Sequence, residues 1–366
     1  MRRLKILTIF GTRPEFIRLS RLVRELDKVS EHFVVNTGQN FDPNLSDVFF
    51  ADLKIRKPDL VIDSQGVGLA QSLAAILVGV EDALQNFQPD GVLILGDTNS
   101  SLSAIVAERL GFPVFHMEAG NRSFDSRVPE ELNRRLVDHV STYNLPYSNY
   151  ARNNLLREGI HPDSICVTGS PMPEVIKALE PAMSASGVLE RQGLTPGEYF
   201  IVSAHRQETV DAESELSTLV ESISGLAKDS SRPVLVSAHP RLRSNLERRG
   251  LALDPEVRVM DPFGLVDYLT LQRNSACVFS DSGSLPEESG YLGFPAVIIR
   301  RSFERQESLD GGFVGLAGLD LESWKRSMSL REMASKADIP VEYKSENFTI
   351  KVINFIFSKL SSQADH

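Results

Sequence analysis

Short runs of β-branched and aliphatic residues recur along this chain, with longer amphipathic stretches between them. Runs of that kind read as strands buried on both faces, and the intervening stretches are long enough for the crossover helices that parallel strands need. The spacing predicts strands at Leu4–Phe10, Phe33–Asn36, Val92–Leu95, Val114–Met117, Thr142–Leu145 and Ile165–Thr168. It then predicts Tyr199–Ser203, Val234–Ser237, Val257–Val259, Cys277–Ser280 and Ala296–Ile299. Between the halves, Leu179–Gly187 is poor in large apolar residues and carries Pro181 and Gly187, as a connection between domains would. A chain of 366 residues also exceeds what one core organises. The expected class is α/β, with two Rossmann-like doubly wound domains facing a cleft. Residues 1–178 form the N-terminal domain and 187–345 the C-terminal one. Large apolar residues near helical spacing from Phe348 to Phe357 predict a terminal helix within 346–366, docking back on the N-terminal domain.

Charge narrows the partners. With 39 Lys plus Arg against 49 Asp plus Glu, the net charge of -10 disfavours nucleic acid or an anionic membrane surface. No apolar run reaches the roughly 20 residues of a membrane span, and Met1–Ile6 leads directly into a strand. Cys166 and Cys277 sit in apolar runs without a CxxC pair or zinc-ligand spacing, and read as buried thiols of a cytoplasmic protein. Ser361–His366 reads as a frayed tail.

In open α/β sheets, ligands bind beyond the carboxyl ends of the strands. Polar clusters fall there repeatedly: Gly11-Thr12-Arg13-Pro14-Glu15, Gly96-Asp97-Thr98-Asn99 and Glu118-Ala119-Gly120-Asn121-Arg122 in the first half. In the second half they are Ala204-His205-Arg206-Gln207-Glu208, Ala238-His239-Pro240-Arg241 and Asp281-Ser282-Gly283-Ser284. Each has an ordinary explanation by itself. Asp97 or Thr98 would cap a helix near Ser100, Pro129-Glu130-Glu131 with Arg134 and Arg135 would open a surface helix, and the run from Asp281 to Glu288 would cap another. Their shared position on one edge of each sheet is what capping does not explain.

Several standard sites are excluded. The chain has no GxxxxGK[ST] phosphate loop, no HExxH and no G-x-S-x-G elbow. Gly66-Val67-Gly68-Leu69-Ala70-Gln71 begins like a dinucleotide fingerprint but lacks its third small residue, which disfavours NAD. No metal and no cofactor are expected. Acid/base chemistry by Asp, Glu and His remains, on an anionic substrate met by Arg13, Arg18, Arg206, His239, Arg241 and Arg243.

These motifs resemble the non-hydrolysing UDP-N-acetylglucosamine 2-epimerases. The matching stretches are Gly11–Glu15, Thr37-Gly38-Gln39, Gly96-Asp97-Thr98, Glu118-Ala119-Gly120, Pro129–Arg134, His205-Arg206, and Asp281-Ser282-Gly283 with Glu287-Glu288. The resemblance implies a glycosyltransferase-B fold, with most acid/base residues in the first domain and UDP on the second. It implies Asp97, Glu118, Glu130 and His205 as the catalytic group. Arg13, Arg18, Arg206, His239, Ser282, Gly283, Ser284 and Glu288 are implied as contacts to UDP or sugar, with Ser282 on the diphosphate and Glu288 on the ribose. His239 and Arg206 are also open to a second, activating UDP-sugar. Arg18 departs from the usual Lys. Gly38–Asp42, Glu118–Glu131 and Thr168–Met172 are most similar to the branch that forms UDP-N-acetyl-L-fucosamine from UDP-2-acetamido-2,6-dideoxy-L-talose, for surface polysaccharide such as capsule or O-antigen. The stretches His205–Val210 and Phe303–Glu307 depart from that branch. A cytoplasmic homodimer is implied as well. UDP-N-acetylglucosamine 2-epimerisation to UDP-N-acetylmannosamine, a UDP-sugar glycosyltransferase, and a silent nucleotide-sugar sensor stay open as alternatives.

Overall fold

The computed structural model describes residues 2–39, 53, 55–64, 68–331 and 338–363. Asn40-Phe41-Asp42 of the resemblance, Gly66-Val67 of the fingerprint-like stretch and 364–366 of the tail lie outside the described residues. The chain divides into two compact units, one of Met1–Val175 with Ser345–His366 and the other of Ile176–Lys344.

The first unit holds β1 (Lys5–Phe10), β2 (Glu31–Asn36), β3 (Leu60–Val61), β4 (Gly91–Leu95), β5 (Val114–Met117) and β6 (Tyr143–Leu145), in the order β3-β2-β1-β4-β5-β6. Every pairing is parallel. The second holds β7 (Phe200–Ser203), β8 (Val234–Ser237), β9 (Val257–Met260), β10 (Cys277–Ser280), β11 (Ala296–Ile299) and β12 (Val314–Ala317), in the order β12-β11-β10-β7-β8-β9, again all parallel. Counted within each unit, the two orders are the same, and the winding reverses between the first and fourth strands. That reversal, β1 beside β4 and β7 beside β10, opens the crevice where doubly wound sheets take ligands.

Continuous apolar runs form the strands because both faces are covered by helices. Leu7, Ile9, Val92 and Ile94 join Ile76, Val80, Ala83 and Leu84 in the first core. In the second unit, Val202, Val236 and Phe279 pack with Leu216, Leu219, Ile223 and Trp324. The helix Arg13–Val29 shows how a sequence pattern becomes a buried stripe. Phe16, Leu19, Leu22, Val23 and Leu26 are buried at three- and four-residue spacing, while Arg21 and Arg24 occupy less buried positions. The terminal helix Phe348–Gln363 packs within the first unit. Phe355 meets Phe115 and Tyr143 edge-on, at 6.3 and 5.5 Å between ring centroids, and the Thr349 amide donates to Glu174 at 3.0 Å.

The structure differs from the sequence reading in five places. Ile165–Thr168 is not a strand: Ile165 makes an isolated bridge to Asn144, and the amides of Cys166 and Thr168 reach the carbonyls of Asn144 and Pro146. Pro146 has no N–H to return, so the ladder stops. β3 and β12 were not anticipated; β3 is two residues long, too short for a period to show. Leu179–Gly187 is not an irregular connection, because the helix Met172–Ser184 runs through Pro181. Cys166 is only half-buried, unlike Cys277. Residues 361–363 of the expected frayed tail are helical.

Candidate active site

At the reversal of the first sheet, the loop after β1 meets the loop after β4. Glu15, in the first turn of the helix Arg13–Val29, is buried and folds back on the strand end. The amides of Gly11 and Thr12 donate to its Oε2 at 2.7 and 2.9 Å, and the Thr98 hydroxyl donates to Oε1 at 2.5 Å. Burial raises the Glu15 carboxyl to about 7, against the opposing pull of those donors. Gly11 is required here by close approach, since a Cβ would lie 1.9 Å from Ser100 Oγ and 2.3 Å from Thr37 Oγ1.

Thr98 occupies the N-cap position of the next helical turn, as the capping explanation has it, but its side chain makes no capping hydrogen bond and goes to Glu15. Asp97 instead takes the Arg134 guanidinium, whose Nε donates to Oδ2 at 3.0 Å and whose Nη2 reaches the same oxygen. Arg134 Nη1 donates to Glu131 at 3.0 Å. Arg134 is therefore not a surface charge: its side chain is buried, and the helix Pro129–Val140 turns Glu131 and Arg134 inward. Glu131 in turn accepts from the amides of Ser123 and Phe124. Glu130, the member of the expected acid/base group on this helix, is half-buried and takes no hydrogen bond among the described residues.

Glu118 follows β5 with φ +64°, a left-handed conformation that disfavours a side chain and costs on the order of 1–3 kcal/mol. Its surroundings over-determine it. The Glu118 amide donates to the Leu145 carbonyl at 3.1 Å, and its Oε2 accepts from Arg18 Nη1 at 2.8 Å. Behind the loop lies a buried ion cluster. Arg122 Nη1 donates to Asp138 Oδ2 at 2.7 Å, and the Gly120 amide donates to the same oxygen at 3.0 Å. His116 stands with Nδ1 2.9 Å from Asp138 and Nε2 2.8 Å from the Gly96 carbonyl, tying the Asp97 loop to the Glu118 loop. Burial would raise the Asp138 carboxyl, but His116 and Arg122 hold it below the usual range. A Cβ on Gly96 would lie 3.7 Å from Glu118 Oε2, which places that carboxylate next to the Asp97 turn. Arg13, exposed at the start of its helix, completes this rim.

The second sheet repeats the arrangement with different chemistry. Asp281, after β10, is fully buried and accepts from the amides of His205 and Arg206, after β7, at 3.0 and 2.9 Å. His205 Nδ1 stands 3.1 Å from Asp281 Oδ1, which leaves the Nε2 side of a partly exposed ring for chemistry. Burial would raise Asp281, but His205 and Arg206 bring it down to about 2. The His239 ring, after β8, lies 6.1 Å from that of His205. The Ser282 and Ser284 hydroxyls are 3.0 Å apart, and Ser284 donates to Glu288 Oε1 at 2.7 Å while Gln272 donates to Oε2 at 2.8 Å. Arg305 Nε holds the Gly283 carbonyl at 3.0 Å. A Cβ on Gly283 would stand 3.1 Å from Glu304 and 3.3 Å from Arg206, so the turn sits tightly on those groups.

The first unit thus gathers Asp97, Glu118, Arg18 and Arg13 on one rim, with Glu130 on the neighbouring helix. The second gathers His205, Arg206, His239, Ser282, Gly283, Ser284 and Glu288. Sequence reasoning missed Glu15, Arg134, Asp281, Glu304 and Arg305 as individual contributors, although each lies inside a motif it quoted. The signal available was position: all but Arg134 follow a strand end. Among the described residues, no cluster of His, Cys, Asp and Glu could hold a metal ion.

Twin all-parallel α/β units with polar rims at both reversals define a two-domain enzyme of the glycosyltransferase-B fold. Residues 24–353 match the family described as UDP-N-acetylglucosamine 2-epimerase. A UDP-N-acetylglucosamine 2-epimerase of Methanococcus maripaludis is 36% identical over 327 residues, covering 87% of this chain and 89% of that one. The UDP-2,3-diacetamido-2,3-dideoxy-D-glucuronate 2-epimerase of Pseudomonas aeruginosa is 36% identical over 322 residues, covering 86% and 88%. The crystal structure of the Methanocaldococcus jannaschii enzyme in complex with UDP-GlcNAc and UDP superposes with a TM-score of 0.90 at 29% identity, over 97% of this chain and 100% of that one. The chain belongs to the UDP-N-acetylglucosamine 2-epimerase family and is a UDP-sugar 2-epimerase, an isomerase acting on carbohydrates.

Proposed function

We propose that the chain inverts C2 of a UDP-2-acetamido sugar by eliminating UDP to a 2-acetamidoglycal and adding it back. The observation that carries this reading is the pair of rim carboxylates each held by a guanidinium, Asp97 by Arg134 and Glu118 by Arg18. The C2 proton is not next to a carbonyl, so a base alone cannot remove it at a useful rate. Cleavage of the C1–O bond to UDP must lead or accompany its loss. Cations around the diphosphate stabilise the leaving group, and carboxylates stabilise positive character at C1. One proton-handling group takes the C2 proton, and a second returns a proton on the opposite face before UDP re-adds at C1, with no net redox change. Asp97, Glu118, Glu130 and His205 are the groups assigned to this work. Asp281 is the positioning residue that orients the His205 ring. Arg13, Arg18, Arg206, His239, Ser282, Gly283, Ser284 and Glu288 are assigned to UDP and sugar.

The particular sugar we assign is UDP-2-acetamido-2,6-dideoxy-L-talose, giving UDP-N-acetyl-L-fucosamine for surface polysaccharide. The support is the run from Glu118 to Glu131 together with Thr168–Met172. The similarity to the Methanococcus and Pseudomonas enzymes favours UDP-N-acetylglucosamine or a diacetamido uronate as the second reading. The enzyme works without a cofactor, in the cytoplasm, as a homodimer. Incubating each candidate sugar in deuterated water and following C2 by NMR tests the proposal. Solvent deuterium at C2, with traces of UDP and glycal, is the expected result and ranks the substrates. Sugar release without exchange at C2 points to a transferase or hydrolase and overturns it.

A further inference from the structure

Arg300, immediately after β11, is only 4% exposed. Its Nη1 donates to the Glu304 carboxylate at 2.8 and 3.2 Å, but Nε and Nη2 have no hydrogen-bond partner among the described residues. A buried guanidinium with unanswered donors is unfavourable unless something else takes them. Glu208 Oε1 stands 3.9 Å from Arg300 Nη2 and also 3.9 Å from Arg206 Nη1. That distance is within Coulomb range and beyond a hydrogen bond. Glu208 is 47% exposed at its side chain, so its carboxylate is a loosely held counterion across two guanidiniums. The other charges facing the pair are already committed. Glu304 is shared between Arg300 and Arg206, and Asp281 is engaged with the amides of His205 and Arg206 and with the His205 ring.

We propose that Glu208 is an internal placeholder, which an anionic oxygen of the nucleotide diphosphate displaces to take the unanswered donors of Arg300 together with Arg206. The inference rests on the UDP-sugar reading and adds two residues to it: Arg300 as a buried phosphate contact and Glu208 as the group that competes with the ligand. The Arg206 guanidinium lies against the Gly283 turn, where a Cβ would stand 3.3 Å from it, and Arg300 reaches the same Glu304 carboxylate; a pair of planar guanidiniums suits a diphosphate, whose oxygens are too many for one arginine. The carboxylate keeps the arginine pair neutralised until the nucleotide arrives, and then moves into solvent, toward which it is already half exposed.

Titration of UDP and of uridine into the full chain tests this. Glu208→Gln removes an exposed ion pair, so UDP should bind about two- to fivefold tighter while uridine, lacking phosphate, is unchanged. Inorganic pyrophosphate should compete more effectively with UDP on that variant. Arg300→Lys keeps the charge but loses the fork, and should weaken UDP about tenfold with uridine unaffected. Glu208→Gln binding UDP no tighter than the wild type overturns the placeholder. So does an Arg300→Lys protein that folds and binds UDP normally. A wild-type chain that does not bind UDP at all refutes the nucleotide assignment itself and the placeholder with it.

Discussion

Replacing Asp281 by Asn keeps the shape of the side chain and deletes its charge. The carboxyl is fully buried between the His205 and Arg206 amides and the His205 ring. Burial alone would raise it, but its partners bring it from the ordinary 3.8 down to about 2. That difference is worth about 2 kcal/mol of folding free energy. Because the folded carboxyl ionises at lower pH than the unfolded one, the contribution is complete above about pH 4 and drains away as the pH falls through 2, with about 1 kcal/mol gone by pH 3. For a unit the size of Ile176–Lys344, 2 kcal/mol corresponds to about 4–8 °C in Tm. The chain has one tryptophan, Trp324, buried in the core of that unit, so its fluorescence reports the relevant transition directly. Asp281→Asn should therefore melt about 4–8 °C below the wild type at pH 7, and roughly half as far below it at pH 3. Turnover should also fall, because the His205 ring loses the group that orients it. A gap in Tm that is the same at pH 3 and pH 7 would refute the electrostatic account and leave only packing.

Three further outcomes test other links. Burial raises Glu15 to about 7, so the folded carboxyl ionises later than the unfolded one and ionisation opposes folding; calorimetry should show the first unit losing about 3 kcal/mol as pH rises from 4 to 7. Glu15→Gln should be flat over that range, and parallel curves would contradict the assignment. Arg134→Lys retains charge but cannot span Asp97 and Glu131, and kcat should drop about 10²-fold with little change in UDP affinity; an unchanged kcat would remove Arg134 from the site. Gly11→Ala forces a methyl onto Ser100 and Thr37 and should destabilise the first unit by about 1–3 kcal/mol, measured by its melting temperature; a neutral result would mean the loop has room to shift.

What the chain declares locally and what it acquires by folding divide along a physical line. β1, β4, β5, β7, β8, β10 and β11 were legible because strands buried on both faces are built mainly of large apolar residues, with only isolated polar ones such as Thr8 and His116 inside them. The rim loops were legible for the same reason, since clusters of several polar residues ending such runs fall at the strand ends. β3 escaped because two residues carry no period, and Ile165–Thr168 misled because apolar composition does not reveal that Pro146 ends the ladder. The family resemblance implied one chemistry for Asp97, Glu118, Glu130 and His205. Which group holds each of them could not be read, because the partners are remote in sequence: Arg18 lies 100 residues from Glu118, Arg134 lies 37 from Asp97, and Asp281 lies 76 from His205. Sequence pattern sets which residues must be buried or turned out, since that depends on neighbours a few positions away. Only the crossover winding decides which buried charge faces which, and therefore whether Arg134 is a surface cation or the clamp on the Asp97 carboxylate.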